Sequence, residues 1–261
     1  MNAPGPKCEI VTVANDLAQY AEMRRSFEDA GFTTERARFT VYDNSQGNRH
    51  DPYEVLRSLP ANGPEPCVIF CHQDVRLDLG HGYDQFTAQV ALLDARHPSW
   101  VAAGNSGGGE DGRLRLHLDD PAGRWREDLL PASVRSLDEN FLLLRRAHAP
   151  FCSPGLSGFH LYGTDVCLHA IVRGGSAHVI DFLLSHGSKG NAYSPAFAEA
   201  RDRLVQHWEK RFLAGIVRTT CTEFLLSCSR SFHALMSKRR ARDFFSVRLG
   251  NPLIRNPLCP R

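Results

Sequence analysis

The sequence predicts an α/β fold: a Rossmann-like, mostly parallel central sheet with helices on both faces, continued by a C-terminal helical extension. Three observations predict it. Apolar runs of strand length alternate with helical stretches from Cys8 to Ala103, the order that builds parallel sheets through right-handed crossovers. The apolar runs end in polar clusters, Asn15-Asp16, Asp43-Asn44 and His72-Gln73-Asp74. From Pro195 to about Phe245 the pattern turns helical, with Leu204, Trp208, Phe212, Ile216 and Phe224 mostly at helical spacings.

CEIVTVAN (8–15) reads as the first strand, and Asp16 is placed to cap a helix running to about Ala30, with Gly31 as its stop. RARFTVYDN (36–44) is the second strand. Asp51-Pro52 opens a short helix to Leu59, since proline suits the first helical position. PCVIFCHQD (66–74) is the third strand, a helix follows from about Tyr83 to Ala95, and Trp100 to Ala103 is the fourth strand. GNSGGGEDG (104–112) reads as a flexible glycine-rich loop; it lacks the spacing of a phosphate-binding loop. RLRLHLD (113–119) alternates like a strand with one wet face. SVRSLDENFLLLRR (133–146) reads as two strands broken at Asp138-Glu139-Asn140. A helix starts near Gly163-Thr164 and stops at Gly174-Gly175; SAHVIDFLL (176–184) is a strand, and SHGSKGN (185–191) a polar turn. These readings divide the chain into an α/β domain over 1–195 and a helical extension over 196–261.

The 261 residues are 42% hydrophobic, which suits a globular core and excludes disorder. A formal net charge of +2 is too small for a general nucleic-acid binder. The eight cysteines form no CxxC pair and read as small buried hydrophobes of a reducing compartment. A zinc site from Cys67, Cys71 and His72 is the lesser reading, because the spacing is not that of a finger or ribbon. With no apolar leader and no stretch long enough to span a bilayer, a cytoplasmic protein is expected.

The chemistry is expected at His72-Gln73-Asp74. Ligands of open α/β sheets bind outside the carboxyl ends of the strands, and Asp74 is a hard oxygen ligand suited to Mg²⁺ or Mn²⁺. Three polar strand ends suggest one pocket for a polar, phosphorylated ligand. Asp165, at the first turn of a helix, either caps backbone N–H groups or faces a cleft; alone, capping is the plainer reading. His186 follows an apolar strand and gains weight only by converging with Asp74.

Together, VTVAND, YDNSQGN, FCHQDV, LDENFLLLRR, GFHLYGTDVCLHA and HGSKGN resemble, in that order, the family 2-like glycosyltransferases with the A-type fold. The nearest likeness is to the small bacterial branch that includes the streptomycin-cluster type. It covers about residues 8 to 210, and HQDV and GFHLYGTDVC are its specific segments. The resemblance implies transfer of a sugar from a nucleoside-diphosphate sugar to a hydroxyl acceptor, inverting and metal-dependent. Asn15 and Asp16 would lie near the nucleoside, and Asp43 and Asn44 near base or ribose. Asp74 would stand for the last carboxylate of the family's Asp-x-Asp. His72 replaces its first Asp, which disfavours Mg²⁺ and is acceptable to Mn²⁺. His186 resembles a histidine that completes the metal site, Asp165 resembles the catalytic base, with Thr164 where the family has Glu, and Lys189 is placed to reach the diphosphate.

Two other readings stand beside this one. A non-catalytic nucleotide-sugar-binding module would account for the missing Asp and Glu. A metal-dependent hydrolase would use His72, Asp74 and His186. The resemblance does not reach the tail, where Arg230, Lys238, Arg239, Arg240, Arg242, Arg248, Arg255 and Arg261 face a single acid, Asp243. Apolar residues of a helix read over 219–237 precede the arginine run, a pattern that fits peripheral contact with an anionic membrane or an acidic partner, or plain packing on the domain.

Overall fold

The computed structural model describes residues 7–188 and 194–259. In chain order its elements begin β1 (Cys8–Ala14), α1 (Leu17–Asp29), β2 (Ala37–Asp43), α2 (Pro52–Ser58), β3 (Cys67–Cys71) and β4 (Val75–Arg76). They continue with α3 (Tyr83–Arg96), β5 (Trp100–Gly104), β6 (Ser106–Gly109), β7 (Leu114–Leu116), β8 (Asp119–Asp120) and β9 (Gly123–Arg124). Next come β10 (Ala132–Leu137), β11 (Phe141–Arg145), α4 (Tyr162–Val172), β12 (Ser176–Val179), β13 (Ser185–His186) and α5 (Pro195–Trp208). The C-terminal elements are β14 (Phe212–Ala214), β15 (Ile216–Arg218), β16 (Glu223–Leu225), α6 (Arg230–Met236), α7 (Arg239–Asp243) and β17 (Ile254–Arg255).

A 9-stranded sheet in the order β2-β1-β3-β11-β5-β12-β10-β6-β7 forms the centre. Strands β2, β1, β3, β5, β12 and β6 run one way; β11, β10 and β7 run against them. The sheet is thus mostly parallel in direction, with β11 inserted antiparallel between β3 and β5. The strand pairs β1–β2 and β1–β3 run in register from Cys8, opposite Ala37 and Cys67, so their polar ends emerge at one edge.

Side chains alternate across the strands and fill two cores. Val11, Phe70, Leu142 and Leu144 meet α2, α4 and α5 through Leu56, Leu168 and Leu204. Ile10, Ile69, Phe141 and Leu143 meet α1 and α3 through Phe27, Phe86 and Leu93. Each such side chain, fully buried, contributes about 2 kcal/mol. At the edge opposite the polar strand ends, Arg146 is buried and bonds Glu9 and the Glu65 carbonyl, an arrangement that satisfies a charge the interior would otherwise reject.

Two expectations are corrected. The glycine run is not a flexible loop: Ser106–Gly109 is a buried strand. A Cβ on Gly107 would lie 2.1 Å from the Ser136 carbonyl oxygen, and one on Gly108 would lie 1.7 Å from that of Arg218, so the glycines serve close backbone approach. The stretch from Pro195 to Phe245 is not continuously helical. Past Trp208 it turns into β14 and the β15–β16 hairpin, and only then into α6 and α7. Beyond residue 195, Phe197, Leu204, Trp208, Phe212, Val217 and Phe224 belong to the main cluster. A small satellite core of Ala214, Ile216, Met236 and Phe245 lies beyond it.

Candidate active site

Strand β3 ends at Cys71, and the chain then delivers His72, Gln73 and Asp74 at the sheet edge. The Gln73 side chain joins this edge to the end of β1: its Oε1 accepts from the backbone N–H groups of Asn15 (2.8 Å) and Asp16 (3.0 Å), and its Nε2 donates to Asn15 Oδ1 (2.7 Å). Strand β13 pairs antiparallel with β4, with His186 opposite Val75. That register sets the imidazole beside Asp74, and the Gly187 N–H donates to the Asp74 carbonyl at 3.0 Å. His186 Nε2 lies 3.4 Å from Asp74 Oδ1, and His72 Nδ1 lies 4.0 Å from the same oxygen. The ligand-capable atoms of His72, Asp74 and His186 all fall within 4.8 Å of one another. The other nitrogen of His72 meets the Tyr162 hydroxyl at 2.9 Å, which fixes the ring.

The electrostatics of the three groups interlock. Burial works to raise the Asp74 carboxyl, but the His186 and His72 imidazoles outweigh it and hold it at about 2. Burial works to lower His186, and the hydrogen bond and charge of Asp74 outweigh it, so His186 is raised. His72 is lowered by burial and by the neighbouring His186. One carboxylate and two imidazoles form a donor set that fits Mn²⁺ better than Mg²⁺. Among the described residues, this is the only grouping of three His, Cys, Asp or Glu ligands, so Cys67 and Cys71 belong to no zinc site. Both thiols are buried, and burial pushes each up to about 12.

Two cavities meet at this cluster. One, about 390 Å³, is lined by Asn15, Asn44, Asn48, His72, Gln73 and Asp74 among others. The second, about 360 Å³, is lined by His72, His186, Asp138, Glu139, His160, Trp125 and the hairpin residues Thr220 and Cys221, among others. His72 and Phe159 belong to both walls.

The other expected site residues divide. Asn15 and Asn44 line the first cavity. Asn44 is buried, and its side chain holds the following loop, accepting from the N–H groups of Arg49 and His50 (2.9 Å each) and donating to the His50 carbonyl (2.9 Å). Asp16 caps α1 by accepting from Ala18 and Gln19. Asp43 is exposed and accepts from the Ser45 N–H at 2.8 Å; it lines neither cavity. Lys189 lies outside the described residues.

Asp165 is the correction that matters most. It is 0% exposed. Its oxygens accept from the Ser153 N–H (2.7 Å), the Ser153 hydroxyl (2.8 Å) and the Trp208 indole N–H (2.8 Å). A carboxylate saturated by three donors and sealed in the core ties α4 to α5 and to the segment before α4; it does not face the cleft.

The carboxylate that does face it is Glu139. It stands in the turn between β10 and β11, against the start of α4. Burial and neighbouring Asp138 push it up to about 8, against the opposing pull of the Gly163 and Leu161 N–H groups. Leu161 holds a left-handed φ of 65°, and a Cβ on Gly163 would lie 2.4 Å from the Leu137 carbonyl oxygen and 3.5 Å from Glu139 Oε1. The helix start is thus bent and stripped of a side chain where it cradles Glu139. The signal for Glu139 was weaker than that for His72-Gln73-Asp74: a polar cluster, Asp138-Glu139-Asn140, that follows the half-polar strand ASVRSL and precedes the apolar FLLLR.

No family model matches the chain. A curated protein of Fuscovulum blasticum, "ATP synthase subunits region ORF 6", is 34% identical over 215 residues, 80% of this chain and 86% of that protein. The chain belongs to the ORF 6 family. Among solved structures, a mannosyltransferase from Pyrobaculum calidifontis in complex with GDP-Man and Mn²⁺ superposes with a TM-score of 0.50 at 9% identity, over 78% of this chain and 62% of that one. This chain therefore shares the fold of that glycosyltransferase, and it spans less than two thirds of that enzyme's length. A second structure, A197 from STIV, covers 69% of this chain and 85% of its own at a TM-score of 0.41 and 11% identity.

Proposed function

We propose that this ORF 6 family member is a glycosyltransferase that moves a sugar from a nucleoside-diphosphate sugar to an acceptor hydroxyl. The observation that carries the proposal is the meeting of two cavities at the Asp74, His72 and His186 cluster. The first cavity takes the nucleoside, with Asn15, Asn44 and Asn48 supplying polar contacts. Asp74, His186 and His72 would hold Mn²⁺. When bound, the cation neutralises negative charge on the departing diphosphate. The second cavity takes the acceptor, and Glu139, in the ionised form that gains population as pH rises toward its raised value of about 8, receives the hydroxyl proton as the acceptor oxygen bonds to the anomeric carbon and the carbon–phosphate-oxygen bond breaks. This single displacement inverts the anomeric centre. The fold shared with a transferase that binds GDP-Man and Mn²⁺ supports the reading. The donor set also suits metal-assisted hydrolysis, but a cavity of about 360 Å³ beside Glu139 favours an acceptor larger than water.

The test has two arms. Nucleoside diphosphate with Mn²⁺ should raise the melting temperature of wild type, and Asp74→Ala should remove the Mn²⁺-dependent part. Glu139→Gln should keep that shift while losing turnover of sugar nucleotides by at least about a hundredfold, the usual contribution of a general base. An Asp74→Ala protein with an undiminished Mn²⁺ effect, or a fully active Glu139→Gln protein, overturns the respective assignment.

A further inference from the structure

The C-terminal unit carries a surface that the transferase reading leaves unused. Met236 and Phe245 turn inward to the satellite core, with Phe232 and Ala241 packed against it. Other large apolar side chains of this segment, in α6 and in the stretch that follows α7, are exposed to solvent. Leu235 is 51% exposed, Phe244 57% and Leu249 54%, and Leu258, further on, reaches 90%. Isolated exposed leucines are ordinary, whereas these stand within one short segment. Between them lie Lys238, Arg239, Arg240 and Arg248, all exposed, against one exposed acid, Asp243.

We propose that this face, centred on residues 235–249, docks the protein on an anionic lipid surface. Exposed arginines alone would suit any polyanion. Leu235, Phe244 and Leu249 set among them favour a bilayer over a purely ionic partner, because a lipid interface takes up bulky apolar side chains while its anionic headgroups attract the neighbouring basic ones. No helix among the described residues is long and apolar enough to cross a membrane, so the contact is peripheral. The hairpin β15–β16 seats on the same satellite core through Ile216 and Leu225, and its turn supplies Thr220 and Cys221 to the second cavity. The docking face and the acceptor wall are therefore parts of one unit.

The experiment is sedimentation of the full chain with phosphatidylcholine vesicles, with and without phosphatidylglycerol. Wild type is expected to pellet with the anionic vesicles only, and the bound fraction to fall about tenfold from 0.1 M to 0.5 M salt as the Debye length shrinks. The double variant Phe244→Glu with Leu249→Glu is expected to lose vesicle binding at low salt. Its nucleotide- and Mn²⁺-dependent thermal shift, read separately, reports that the fold and the first cavity are intact. Absence of wild-type binding overturns the proposal, as does binding unchanged in the folded double variant. Equal binding of a nucleic-acid duplex by wild type and the double variant, without vesicle binding, assigns the surface to nucleic acid and also overturns it.

Discussion

On the proposed reading, a proton and a divalent cation would compete for one nitrogen of His186. The folded protein raises this imidazole above its ordinary 6.5 because Asp74 lies beside it. The charged pair therefore stabilises the metal-free protein fully below pH 6.5, and that contribution disappears as pH rises through the raised value. Cation binding needs the neutral ring, so Mn²⁺ affinity should climb with pH across the same interval, with about one proton released per ion. Calorimetry in buffers of different ionisation enthalpy measures that proton, and a pH-independent affinity rejects His186 as a ligand. His72 and Asp74 were legible as chemistry because they close an apolar strand, and His186 because it closes another. Glu139 follows a half-polar strand and reads as an ordinary turn residue, since nothing in one dimension shows the bent start of α4 folding around it. Asp165 failed for the opposite reason: a helix-start carboxylate looks alike whether it faces a cleft or a tryptophan.

Among the elements, α4 and α5 owe their mutual position to that buried carboxylate. Asp165→Asn would present an N–H group to one of the three donors that now converge on it. The expected loss is about 3 kcal/mol of unfolding free energy, the upper range for a buried donor left unsatisfied. Urea denaturation reads it; a variant with wild-type midpoint but no turnover would instead return Asp165 to the chemistry. The strands of the first half were legible because apolar runs of five to seven residues end in polar ones. Strand β6 was not, because Ser106-Gly107-Gly108-Gly109 has neither alternation nor β-branched side chains. Its strand conformation comes from neighbours on either side, β10 and β7. The helical period past Trp208 misled likewise: Phe212, Ile216 and Phe224 are core residues on strands, spaced by turns rather than by helical pitch.

For the molecule as a whole, the glycines of β6 decide how the C-terminal unit closes on the sheet. The Arg218 carbonyl accepts from the Ser136 hydroxyl at 2.7 Å, directly over Gly108. Gly108→Ala would drive a methyl into that carbonyl and lift the hairpin, at an expected cost of about 3 kcal/mol, the upper range for overpacking. Acceptor saturation should weaken while the nucleotide thermal shift persists; an unchanged melting temperature would show that the hairpin is not seated through this contact. The overall α/β class was readable from element order, but the insertion of β11 between β3 and β5 was not, because local pattern does not encode which strands become neighbours. One further property follows from the shared wall. Phe159 and His72 border both cavities; on the proposed assignment a donor and an acceptor would share these two rings, and linkage would make any coupling between them reciprocal. If donor tightens acceptor by some factor, acceptor tightens donor equally. Phe159→Ala should shrink that cooperativity toward unity while leaving each site able to bind, as read by titrating each ligand with and without the other.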